Sequence, residues 1–131
     1  MRRVDWQVCL AEFANKRLTM PFEWGRNDCC LFTVDAVLAM TGVDHAEKFR
    51  GYSTALAAAR IVEKQGGILQ LAIDAWGASV SPLRAGVGDV VLVINEGREL
   101  LAVCNGTTAI GPGPDGIAVM DMNAAIAAWK I

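Results

Sequence analysis

The chain has 131 residues, enough to close one hydrophobic core without staples, and its 53% hydrophobic and 20% charged content excludes a disordered chain. A net charge of −2 with no clustered basic patch leaves no electrostatic case for nucleic acid as a partner. No apolar run approaches the roughly 20 residues needed to cross a bilayer.

Arg2 and Arg3 are the only adjacent basic pair, and a solvated terminus accounts for them. Asp5, Gln7 and Glu12 interrupt the apolar stretch that an export signal needs, so no signal peptide is expected. From about Arg3 to Leu18, Trp6, Cys9, Leu10 and Phe13 recur at helical spacing, which predicts an amphipathic surface helix. Pro21 ends it, and Met20 to Asp28 is expected to be a loop.

From Cys29 to Met40 the residues are apolar almost all the way round, broken by Thr33 and Asp35, which predicts a helix buried on most sides. Asp28 suits its N-cap and Gly42 its C-terminal stop. Ser53 to Gln65 reads as an alanine-rich helix capped by Ser53 and stopped by Gly66-Gly67, with a shorter helix from Ile68 to Trp76.

After Gly77 the period changes. Val90 to Ile94 is a β-branched apolar run of strand length, and Leu100 to Cys104 is a second strand. Asn105-Gly106 predicts a two-residue hairpin turn into Thr107 to Ile110. Gly111 to Gly116 (GPGPDG) reads as a loop, Ile117 to Met120 as a short strand, and Asn123 to Trp129 as a terminal helix. Helices followed by an antiparallel meander make the expected class α+β.

Four cysteines (Cys9, Cys29, Cys30, Cys104) in a chain with no export signal are read as thiols. With no C-x-x-C pair and His45 as the only histidine, no metal site is expected, and no cofactor.

The candidate chemistry lies in Phe22 to Cys30 (FEWGRNDCC). A thiol at a helix N-terminus faces unpaired N–H groups and the positive end of the helix dipole, which favours thiolate. Gly25 in the adjoining loop leaves space for a substrate backbone, as a cysteine nucleophile requires. The competing reading makes Cys29 and Cys30 small apolar residues at the top of a core helix.

An Asp28-Cys29 helix start followed by a sheet introduced by Gly88-Asp89 resembles the NlpC-type, papain-like cysteine peptidases. More narrowly, Phe22-x-Trp24-Gly25-x-x-Asp28-Cys29, Asp35, Thr41-Gly42-x-Asp44, Gly51-Tyr52 and Ala128 to Ile131 resemble small phage and prophage proteins encoded among tail genes. The resemblance implies one NlpC-like domain over residues 1–131, with Cys29 at the nucleophile position and Cys30 where serine is frequent. Trp24, Gly25, Asp28, Cys30 and Leu100 would line the site. Leu100 falls where the peptidases carry their base histidine, and the orienting polar residue, near Gly111, is also missing.

His45 is expected about one helix length from Cys29, on the surface and out of reach. Glu99 would oppose a thiolate, and Asp35 is expected to be a structural partner for loop backbone. Two functional readings follow from the resemblance. One is a structural or assembly component of a phage-type tail tip or baseplate, whose partners are other tail proteins and whose location is the virion tail, or host cytoplasm during assembly. The other is an active cysteine peptidase or amidase acting on peptidoglycan peptides. A thiol redox sensor would need a resolving cysteine, and Cys30 is too close in sequence to serve.

Overall fold

The computed structural model describes residues 1–131. Four helices come first: α1 (Trp6–Arg17), α2 (Cys29–Thr41), α3 (Ala55–Lys64) and α4 (Ile68–Trp76). Five strands follow: β1 (Val90–Asn95), β2 (Arg98–Cys104), β3 (Thr108–Gly113), β4 (Gly116–Asp121) and β5 (Ala125–Trp129). The sheet is antiparallel, in the order β4-β3-β2-β1-β5, so the α+β expectation holds.

Helix α2 is the centre of the molecule because its sequence leaves it no polar face. Leu31, Phe32, Thr33, Val34, Ala36, Val37 and Met40 are all buried. The ends are as expected: Asp28 accepts the Leu31 N–H at 3.0 Å, and Gly42 stops the helix at φ +80°. One side packs Val37 against Val90, Leu92, Leu101 and Trp129 of the sheet and Ala72 of α4. Another packs Phe32 edge-on against Phe13 of α1, with ring centroids 5.0 Å apart. Burying each such side chain contributes about 1.5–3 kcal/mol. The far face of the sheet carries Val91, Val93, Ala102, Cys104, Ala109 and Ala128.

Several local expectations are corrected. Residues Ala125–Trp129 form an edge strand paired with β1 after a short 3₁₀ turn, not a terminal helix. Alternation explains this, since Ala127 and Trp129 bury on the α2 side while Ala128 buries on the other. The GPGPDG segment is strand as far as Gly113, where Pro112 pairs with Ile117. Its missing N–H is harmless, because β2 pairs with β3 only at Ile110 and Ala109.

The β2–β3 turn centres on Gly106-Thr107, with Asn105 N–H bonded to the Thr108 carbonyl (2.7 Å) and Gly106 at φ +95°. The β1–β2 turn uses Glu96 at φ +53° and Gly97 at φ +77°, the two positive angles of a type I′ hairpin. Thr54, not Ser53, caps α3 by accepting the Ala57 N–H at 3.1 Å.

Arg2 is not simply solvated. It lies over the Trp6 ring at 4.1 Å and donates to Asp89 Oδ1 at 2.8 Å. Asp89, fully buried, also accepts from Lys130 Nζ (2.5 Å), Gly86 N–H (2.8 Å) and Ile131 N–H (3.0 Å). The Gly88-Asp89 strand start therefore fastens residues 2, 86, 130 and 131 to β1. No helix is long and apolar enough to cross a membrane.

Candidate functional site

The loop before α2 is fixed from both sides. Asn27 donates to the Met20 and Pro21 carbonyls at 3.1 and 3.0 Å, and its Oδ1 accepts from Arg17 at 2.9 Å. Arg17 also reaches Asp35 at 2.6 Å, and Arg50 reaches the other Asp35 oxygen at 2.5 Å. Arg50 in turn grips Asp44 through two 3.0 Å bonds. Asp35 is thus structural, but its partners are two guanidiniums rather than loop backbone. This chain of charges clamps the 20–28 and 43–52 segments around the start of α2. Gly25, at φ +80°, lies so close to residue 52 that a Cβ there would meet the Tyr52 carbonyl oxygen at 1.8 Å.

That approach brings Tyr52 to Asp28. The buried carboxylate accepts the Tyr52 hydroxyl, the Gly25 N–H at 2.9 Å and the Leu31 N–H at 3.0 Å. Burial, and then the bond to Asp28, push the Tyr52 hydroxyl far above its usual range, so it remains a proton donor.

The expected activation of Cys29 is reversed. Burial, and then the charge of Asp28, push its thiol up to about 11, outweighing a backbone hydrogen bond at Cys29 and the charge of Arg98. Cys30 is pushed up to about 12 for the same first two reasons. The helix N-terminus does favour thiolate, but desolvation and a carboxylate one residue away win.

Cys29 and Cys30 open onto a cavity of about 850 Å³, whose other walls are α3, the 43–52 segment and the β1–β2 hairpin. Trp24, Asp28 and Leu100 also line it. Gly25 does not line it: the space expected for a substrate backbone is filled by the Tyr52 carbonyl, and Gly25 contributes through its N–H to Asp28. The Leu100 side chain packs into the far-face cluster, whereas Leu101 faces α2. Strand alternation puts Glu99 on the face of Leu101, and the β2 charge that acts on Cys29 is that of Arg98, which favours thiolate. His45 is half-buried rather than on the surface, edge-on to Trp76 with centroids 5.5 Å apart, and it lines the same cavity. No three His, Cys, Asp or Glu side chains converge to hold a metal ion.

Three contributors to the site were given no role there from sequence, although Tyr52 belongs to the Gly51-Tyr52 motif. Tyr52 and Arg17 act through partners remote in the chain, so no local spacing announces their roles. The third is α3 as a wall, and its signal was present in the spacing of Ala55, Ala58, Ala59 and Val62.

Fold and site together define an α+β protein in which a cysteine opens the buried helix at an apolar cleft, next to a carboxylate with three hydrogen-bond donors. The chain belongs to the Domain of unknown function (DUF6950) family, whose model matches residues 1–131. No curated protein matches the sequence.

Proposed function

We propose that the protein is a structural or assembly component of a phage-type tail, at its tip or baseplate, built on an NlpC-like frame without the catalytic dyad. The observation that carries this reading is the surroundings of Cys29. Asp28 beside it is an acid, the β2 charge that reaches it is Arg98, and the thiol is pushed up to about 11. A general base contributes roughly 10²- to 10⁴-fold in rate, and neither Asp28 nor Arg98 replaces an imidazole poised near neutral pH. The tail assignment rests on the ordered motifs from Phe22 to Cys29, Gly51-Tyr52 and Ala128 to Ile131. A fold alone does not establish activity.

One observation favours a second reading, a cysteine peptidase or amidase acting on peptidoglycan peptides: His45 and Cys29 line one cavity. Co-sedimentation separates the two. A tagged copy expressed with the neighbouring tail genes is expected to travel with assembled tails in fixed stoichiometry. Normal tails assembled without it, with the tagged protein left free, would overturn the structural reading.

A further inference from the structure

The cavity wall formed by α3 differs from the others. None of its residues is buried, although Ala55, Ala58, Ala59 and Val62 make an apolar stripe at i, i+3, i+4, i+7 spacing along the cavity. At the mouth, Leu56 is 61% exposed and Trp24 38% exposed. A ten-residue helix is marginal in water and gains its stability by burying such a stripe. Here the stripe faces an opening of about 850 Å³.

The charges around the opening are unbalanced. Glu63, Glu96 and Glu99 line it against Arg98 alone, and none of these four takes part in an ion pair. Asp28, deeper in, already has its three donors. The free charges are therefore three acids and one arginine, a net acidic rim, which suits the charged flanks of a large occupant better than the head of an enclosed small molecule. Strand β2 pairs with β3 only through Val103 and Cys104, which leaves one edge of Arg98–Ala102 open beside the cavity, but the apolar surface facing the opening is the α3 stripe, whose helical spacing suits a helix.

We infer that this cavity is the docking groove for an amphipathic helix of a partner protein, its apolar anchors seated against α3 and its lysine or arginine flanks against Glu63, Glu96 and Glu99. The inference rests on the assembly reading above and names the surface through which assembly proceeds. Rim acids of this kind set specificity and association rate, while the apolar anchors supply most of the affinity.

The test uses a fluorescein-labelled peptide of roughly 15 residues, leucine at i, i+3, i+4 and i+7 with lysine flanks, and a twin with glutamate flanks. The full chain is expected to bind the lysine peptide saturably, at least about tenfold more tightly than the glutamate twin. Leu56→Glu should abolish binding and Glu96→Lys/Glu99→Lys should weaken it about tenfold. Val119→Glu, on β4 outside the groove, should leave it unchanged. Because Leu56 is largely exposed, these variants are expected to unfold at the wild-type temperature, which circular dichroism checks.

Equal binding of both peptides, or wild-type binding by Leu56→Glu, overturns the inference. So does a dimer that Leu56→Glu disperses, which assigns the groove to a second copy. So does uptake of a fluorescent fatty acid by protein that ignores the peptide, which assigns it to a small apolar ligand. Failure to bind peptide, with the tagged chain still sedimenting with tails, removes the groove assignment alone. Peptide binding by a chain that never joins tails removes the tail reading alone.

Discussion

The Tyr52 hydroxyl donates to the Asp28 carboxylate, joining two residues 24 positions apart immediately beside Cys29. With the Gly25 and Leu31 N–H groups it completes a set of three donors around a buried charge. Asp28 is therefore committed to holding the loop and the helix start together, and its charge raises the thiol next to it. Tyr52→Phe removes one charge-assisted bond and is expected to cost about 1.5–3 kcal/mol. Urea denaturation should show a lower midpoint with an unchanged slope. A wild-type midpoint would mean that Asp28 does not depend on Tyr52.

The two raised thiols make stability depend on pH at the alkaline end. Both are protonated in the folded and unfolded chain below the unfolded value near 9, so nothing is lost there. Above it the unfolded thiols ionise first, and stability falls as pH rises toward about 11 for Cys29 and about 12 for Cys30. Each unit of difference corresponds to about 1.4 kcal/mol. Cys29→Ala/Cys30→Ala should flatten the fall in unfolding free energy between pH 9 and 11, and an unchanged slope would contradict the burial of these thiols. At neutral pH, Cys29 is expected to alkylate slowly with iodoacetamide and several-fold faster in Asp28→Asn, read by mass spectrometry. Wild-type labelling as fast as a free thiol would contradict the raised value.

Asp89 predicts a dependence of opposite sign. Burial raises its carboxyl, but Lys130 and the Gly86 and Ile131 N–H groups outweigh this and hold it below the usual carboxylate value. The stability it contributes is present above about pH 4 and is lost as pH falls through the depressed value. Asp89→Ala leaves Arg2 and Lys130 without their shared partner. Because both cations are partly exposed, the loss is expected near the lower end of a broken buried pair, about 3 kcal/mol. Thermal unfolding of the variant at pH 7 and pH 3 checks both statements, since the variant should lose less than wild type on acidification.

Gly25→Ala tests the contact between the loop and residue 52. The new Cβ would lie 1.8 Å from the Tyr52 carbonyl at a backbone angle of φ +80°, so the loop or residue 52 must move. A loss of at least about 2 kcal/mol is expected, with Tyr52 displaced from Asp28. A crystal structure of the variant showing the bond intact would contradict this.

The buried helix and the strands Val90–Ile94 and Leu100–Cys104 were legible in sequence because each is marked by a local period or an unbroken apolar run. Ala125–Trp129 was not, since alanine on both faces hides the two-residue period and favours helix on propensity alone. Pairing with β1 overrides that preference. The Pro112 strand was hidden because its tolerance depends on where β2 stops pairing. At the site, Asp28 as cap and Cys29 at the helix start were readable. The raised thiol was not, because it depends on burial by residues as remote as α3 and the β1–β2 hairpin. The Arg2–Asp89–Lys130 and Arg17–Asp35–Arg50 groups are pairings of distant charges that no spacing announces.

The most direct measurement follows one variant, Cys29→Ser, through tail particle yield, infectivity and release of peptides from purified murein. The substitution keeps the size of the side chain and leaves a hydroxyl beside the Asp28 carboxylate. Particles carrying it are expected to assemble and infect as wild type does, and the purified wild-type protein is expected to release no murein peptides. Murein release by the wild-type protein that disappears in Cys29→Ser, with particle yield unchanged, would contradict the account and establish a working cysteine hydrolase.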